Sequence, residues 1–178
     1  LKLEVNVDGA GRPFYSLDYK GRALVRPSLL GLVADETRFA DGFRITSADT
    51  VTVDRSWQPV WGEFDAVRDH FRELAVHLKA DDPERELTLR FRLFDDGLGF
   101  RYELPAQRGS NYLTLRDELT EFNYGADHTL FCIPGDYDTD EYLWSETTFT
   151  GLPEALKSYR RHSEAQRADG VSVQTPLL

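Results

Sequence analysis

The chain has 178 residues, with 21 basic and 31 acidic side chains and a formal charge of −10. That size suits one domain, and with 40% hydrophobic residues it can bury about two-thirds of its unfolded surface. The acidic balance, without a basic cluster, excludes phosphate-backbone binding and hence a nucleic-acid partner, and no apolar run approaches the about 20 residues that span a bilayer, so no membrane partner is expected.

The first residue is Leu1, the chain contains no Met, and Lys2 and Glu4 interrupt any apolar signal segment. The chain is therefore expected to be a processed or excised piece of something longer. Cys132 is the only cysteine, so no intramolecular disulfide can form and cysteine usage leaves the compartment open.

Short alternating segments dominate from the start. Leu1, Leu3, Val5 and Val7 alternate with Lys2, Glu4 and Asn6, the period-two pattern of a half-buried strand. Asp8-Gly9-Ala10-Gly11 breaks it, Arg12 to Tyr19 reads as the returning strand, and Lys20-Gly21 is the next turn. Ala23 to Ala34 follows as a single apolar run. Further strands are expected at Phe43 to Ala48, Thr50 to Trp57, Arg72 to Leu78, Leu87 to Phe94, Gly99 to Leu104, Tyr112 to Leu119 and Leu130 to Ile133. Turn residues punctuate them at roughly the 8–12-residue spacing of an all-β sandwich or barrel.

The clearest local signal is the hairpin from Leu87 to Leu104. Leu87, Leu89, Phe91 and Leu93 face one way, and Thr88, Arg90 and Arg92 the other. Asp95-Asp96-Gly97 is expected to close it with Gly97 at positive φ. Arg90, Arg92 and Arg101 should then pair across strands with acids such as Glu103. Phe64, Val67, Phe71 and Leu74 sit at helical spacing, yet the alternation that follows leaves Asp65 to His70 undecided. Pro153 to Ala168 reads as a short, superficial helix, with Pro153 in its first turn and Glu154 at the positive end of its dipole.

Few residues carry a chemical signature of their own. His70, His77, His128 and His162 show no zinc spacing, and Ser28 and Ser145 lack a nucleophile-elbow frame. Cys132 reads as a small hydrophobe in a buried strand. Asp136, Asp138 and Asp140 alternate as in a calcium loop, but Glu141 stands where an EF-hand requires Gly. On the residues alone, Glu141 is a solvated acid in an acidic turn. Trp57, Trp61 and Trp144 suit core or interdomain packing, with a sugar-stacking platform as the alternative.

Several segments, taken together, resemble the amino-terminal domain of glycoside hydrolase family 97. They are Ser28-Leu29-Leu30-Gly31-Leu32, Trp57 to Glu63, the hairpin Phe91 to Glu103, the acidic segment Pro134 to Tyr142 and Thr175-Pro176. The resemblance implies an all-β fold, a large antiparallel β-sandwich (supersandwich) of the galactose-mutarotase kind, incomplete at its C-terminal end. It also implies that residues 1–178 are the amino-terminal domain of an α-glycosidase whose catalytic carboxylates lie on a (β/α)₈ barrel. No barrel fits in this chain, because a barrel takes about 250 residues, so no catalytic residue is expected here. The implied partners are that barrel, in the same polypeptide, and an α-linked oligosaccharide. The implied cofactor is calcium, held in the full-length enzyme and weakly or not at all by this chain alone. Glu141 is the position matching the family's calcium-ligating glutamate, with Glu146 as the neighbour that takes the role if the register shifts. The implied location is periplasmic or secreted, and an apolar face is expected where the barrel docks. Two other readings remain: a stand-alone carbohydrate-binding module, and a mutarotase-like epimerase, which would need a His and a Glu converging on a sugar.

Overall fold

The computed structural model describes residues 1–35, 37–105, 113–136, 139, 141–157, 173 and 174. They belong to two compact units, residues 1–123 and residues 124–178. The fold is all-β and antiparallel, as the alternation predicts, and it is that of a β-sandwich.

In the first unit, β1 (Lys2–Val7), β2 (Pro13–Tyr19) and β3 (Arg22–Leu29) form one antiparallel sheet in that order. Lys20 and Gly21, at φ 49° and 77°, supply the left-handed pair that a two-residue hairpin turn requires. The apolar run predicted from Ala23 to Ala34 is divided between two sheets. After β3 the chain turns at Leu30-Gly31 and enters β4 (Leu32–Ala34), which lies between β5 (Thr37–Phe39) and β10 (Leu115–Glu118). The corner needs glycine, because a Cβ on Gly31 would stand 2.5 Å from the Cβ of Ala40. Of the predicted strand Tyr112 to Leu119, only the part from Leu113 lies among the described residues.

The four-stranded sheet runs β6 (Arg44–Trp57), β7 (Val67–Asp81), β8 (Glu84–Leu93) and β9 (Leu98–Glu103). Two expectations are corrected here and one open reading is resolved. The two strands predicted at Phe43 to Ala48 and Thr50 to Trp57 are one strand, β6. Asp49, at the expected break, pairs with Ala75 in unbroken register, and the one irregularity in the pairing with β7 is a register shift between Ile45 and Ser47, a bulge within the strand. The helical spacing around Asp65 to His70 is not realised, since Val67 onward pairs with β6. Gly97 is not at positive φ; the hairpin closes instead through the Phe94 N–H donating to the Gly97 carbonyl at 2.9 Å.

Tyr15 of β2 reaches across to the four-stranded sheet. Its ring lies 6.3 Å from Phe91 and 5.8 Å from Phe100, while Phe91 and Phe100 stack at 5.6 Å. Its hydroxyl donates to the Glu121 carbonyl at 3.1 Å, so a fully buried phenol keeps its polar tip satisfied. Leu87, Leu89 and Phe91 of β8 are buried with Val76, Leu78 and Ala80 of β7, which makes this face the core. Truncating a core phenylalanine of this kind typically costs about 3–5 kcal/mol.

The opposite face of the sheet is polar and ion-paired. Arg90 donates from Nε and one terminal nitrogen to Glu103, at 2.7 and 2.9 Å, and from the other to Glu73 at 2.6 Å. Arg92 reaches Glu73 at 2.8 Å and lies 4.5 Å over the ring of Phe71. Arg101 adds a bond to Glu103 at 2.8 Å. The pairing expected for these arginines is thus present, with Glu73 as a member that the hairpin alone did not reveal.

In the second unit, β11 (Thr129–Cys132) pairs antiparallel with β12 (Ser145–Thr148), followed by α1 (Leu152–Ala155). Leu130, Cys132 and Leu156 are fully buried. Pro153 sits in the first turn of the helix, as expected. Residues 158–168 of the predicted helix lie outside the described residues.

The ion-paired face makes a prediction about acid. The Arg90 guanidinium, helped by Arg101, holds the Glu103 carboxyl down from its ordinary 4.5 to about 2, and Arg92 with Arg90 lowers Glu73 likewise. A carboxylate whose pKa is depressed in the fold stabilises it fully above its unfolded pKa, and that stabilisation fades as pH falls toward the folded value. Urea midpoints should therefore drop between pH 4.5 and 2 in the wild type, and drop less steeply in Glu103→Gln. Equal slopes in the two proteins would contradict the role given to Glu103.

Candidate functional site

The acidic segment after β11 is where the sequence places a site. Asp136 accepts a hydrogen bond from the Tyr142 hydroxyl, and this bond pushes the phenol pKa up. Asp136 is thereby engaged within its own loop. Glu141 is exposed. Its backbone N–H donates to the Thr139 hydroxyl at 3.0 Å, which shapes the turn, and no ion pair or hydrogen bond involves its carboxylate among the described residues. Asp138, Asp140 and Thr175-Pro176 lie outside the described residues. Glu146, the alternative ligand, is exposed on β12 opposite Phe131.

Calcium is served by six to eight oxygens at about 2.3–2.6 Å. Among the described residues, no three His, Cys, Asp or Glu side chains converge to hold a metal. A single free carboxylate on an exposed turn fits one position of such a shell and no more. Glu141 is therefore suited to contribute to a site completed from elsewhere.

The first unit carries polar groups that could be mistaken for a catalytic centre. One hollow of about 380 Å³ is lined by Arg12, Leu30, Arg38, Glu118 and Glu121, among others. Its two carboxylates are already used. Glu121 accepts from the Leu29 N–H at 3.0 Å and from Asn123 at 3.2 Å, and Glu118 accepts from the Thr120 hydroxyl at 2.6 Å. Both tie the segment after β10 to its neighbours. His77 bonds Thr88 at 2.9 Å and Asp49 at 3.0 Å, a cross-strand arrangement over β6, β7 and β8. The sequence showed no His–Glu pair for an epimerase, and this histidine is partnered by an aspartate and a hydroxyl instead.

The remaining candidates sort by burial. Ser28 is buried, its hydroxyl donating to the Arg26 carbonyl and accepting from the Asn123 N–H, so it is structural. Burial also pushes the Cys132 thiol up, which suits the inert role expected of it. The tryptophans are not core residues: Trp57 is 48% exposed, Trp61 88% and Trp144 56%, which leaves interdomain packing and a sugar platform as the readings. None packs into the core of its own unit, and the reason lies in their positions, at the end of β6, in the loop beyond it and just before β12.

Comparison with known proteins gives the following matches. The sequence pattern described as Glycosyl-hydrolase 97 N-terminal matches residues 1–178. A glycoside hydrolase family 97 enzyme from Pseudoalteromonas sp. strain K8, solved with acarbose, superposes with a TM-score of 0.77 and 31% identity over 86% of this chain. A point variant of a family 97 enzyme from the same strain, solved with panose, gives 0.75 and 31% over 82%. A β-arabinopyranosidase gives 0.68 and 26% over 79%. This chain spans 23% of the first of those chains and 22% of the other two.

Proposed function

The chain belongs to glycoside hydrolase family 97, matching its amino-terminal domain over residues 1–178, and from that premise we propose that it is a non-catalytic β-sandwich domain of a calcium-dependent α-glycosidase. In this reading it supports a catalytic (β/α)₈ barrel in the same polypeptide and lends Glu141 to a calcium site beside the active centre. The parent reaction is hydrolysis of α-glycosidic bonds in an oligosaccharide, in the periplasm or outside the cell. The observation that carries the reading is the match over 1–178 to the family's amino-terminal domain, in a chain that spans only 22–23% of the related chains. Two features support it further. The Glu118 and Glu121 carboxylates of the hollow are engaged in holding the fold, and the Glu141 carboxylate, unpartnered among the described residues, is open to a hard cation.

The ion, when bound, supplies concentrated positive charge that several carboxylates share. Glu141 would offer one oxygen ligand from this domain, and the rest would come from the barrel. Held in this way, Glu141 would tie this domain to the barrel and help fix the position of the barrel's catalytic groups. Substituting Glu141 by Gln in the full-length polypeptide should weaken calcium binding about tenfold or more, which is about 1.4 kcal/mol, and lower activity at limiting calcium. Calcium titration by calorimetry checks this, and an unchanged affinity would refute the assignment. A matching loss in Glu146→Gln, with Glu141→Gln silent, would move the ligand to Glu146.

The exposure of Trp57, Trp61 and Trp144 favours one second reading, a carbohydrate-binding module. Titration with maltooligosaccharides while following tryptophan fluorescence separates the two. The scaffold reading expects no saturable change in this chain, and saturable binding would favour the module.

A further inference from the structure

β8 pairs with β7 only from Arg72 onward, whereas β6 pairs with β7 back to Val67. Residues Val53 to Trp57 and Val67 to Phe71 therefore form a two-stranded arm extending past the rest of the sheet. Charge pairs brace its stem: Arg68 grips Asp54 with two bonds of 2.8 and 2.7 Å, and Arg55 reaches Asp69 at 3.3 Å. The loop at its end presents large apolar groups to water. Val60 is 99% exposed, Trp61 88% and Phe64 63%. Such a concentration of bare apolar side chains marks an interaction surface.

We infer that the tip of this arm, formed by Trp57, Val60, Trp61 and Phe64, docks into an apolar recess with a basic rim on the remainder of the same polypeptide. The inference rests on the reading that this chain is one domain of a larger glycosidase. Two observations choose the occupant. The related chains are more than four times as long as the stretch matched here, which covers 22–23% of them, so most of the protein surface available to cover the tip lies elsewhere in the polypeptide. The tip also carries Glu63 and Asp65, with no Lys or Arg between Arg55 and Arg68. A second copy meeting it tip to tip would bring four carboxylates together, whereas a basic rim would complement them. A saccharide suits it less well, because the most exposed group is the aliphatic Val60, which offers no ring to stack on.

Hydroxyl-radical footprinting of the full-length polypeptide, read residue by residue by mass spectrometry, tests this directly. Val60, Trp61 and Phe64 should oxidise at least tenfold more slowly than their intrinsic reactivity predicts, equally at nanomolar and micromolar protein and without sugar. The double variant Val60→Asp, Trp61→Asp should release Trp57 and Phe64 to solvent rates. Intrinsic rates in the wild type would overturn the proposal. So would protection that appears only as protein concentration rises, which marks a second copy, or only with added maltooligosaccharide, which marks a sugar site. Calcium affinity, read through Glu141, is independent of this outcome, so failure of the docking inference is distinguishable from failure of the calcium assignment.

Discussion

The contact of Tyr15 with Phe91 and Phe100 is what turns a set of hairpins into a sandwich. A strand with one apolar face gains little until that face meets another apolar layer. Here β2 supplies one fully buried phenol, and β8 and β9 supply two stacked rings beneath it. Because the Tyr15 hydroxyl also donates to the backbone at Glu121, the same residue fixes the segment following β10. Tyr102 does a parallel job from the other sheet: its hydroxyl accepts the Gly31 N–H at 3.0 Å and shares a 2.7 Å bond with Thr120. Loss of either tyrosine would loosen both the layer packing and the loops packed at its margin.

The four-stranded sheet then divides the chemistry of the chain by face. On the inner side β7 and β8 bury aliphatic and aromatic groups. On the outer side three arginines and two glutamates close on one another, within a protein of net charge −10. Cations paired in this way are structural, and the same holds for Glu118 and Glu121. Glu141 differs: its carboxylate is not consumed by the fold among the described residues. That contrast between engaged and free carboxylates motivates giving this domain a supporting role rather than a catalytic one.

The facing of the β8–β9 strands was legible because burial on one face and ion pairing on the other impose alternation on Leu87 to Leu93 and Phe100 to Glu103, whereas the turn at Gly97 was not. β6 was not, since nearly every side chain along it is exposed; with no buried face to impose a pattern, Asp49 and its neighbours read as a break. The divided run from β3 to β4 was hidden for the opposite reason: Leu29, Leu30 and Leu32 are all apolar, and only the close approach of Gly31 to Ala40 marks the corner. β5 and β12 escaped notice because Thr37–Phe39 and Ser145–Thr148 are short and carry no apolar alternation. For the site, the sequence pointed to Glu141 through ordered likeness to a family. The structure adds that the carboxylate is exposed and unengaged among the described residues, and that the tryptophans lie outside the core. The second of these could have been suspected from Pro59 and Gly62, which place Trp61 in a loop.

What joins these features is division of labour: the carboxylates Glu73, Glu103, Glu118 and Glu121 of the first unit are engaged in the fold, while Glu141 of the second unit is unengaged among the described residues. The most direct measurement is turnover of nitrophenyl α-glucoside and α-galactoside by this 178-residue chain alone. A supporting, non-catalytic domain predicts rates equal to the buffer blank, with or without calcium. Robust turnover that tracks the folded protein would contradict it.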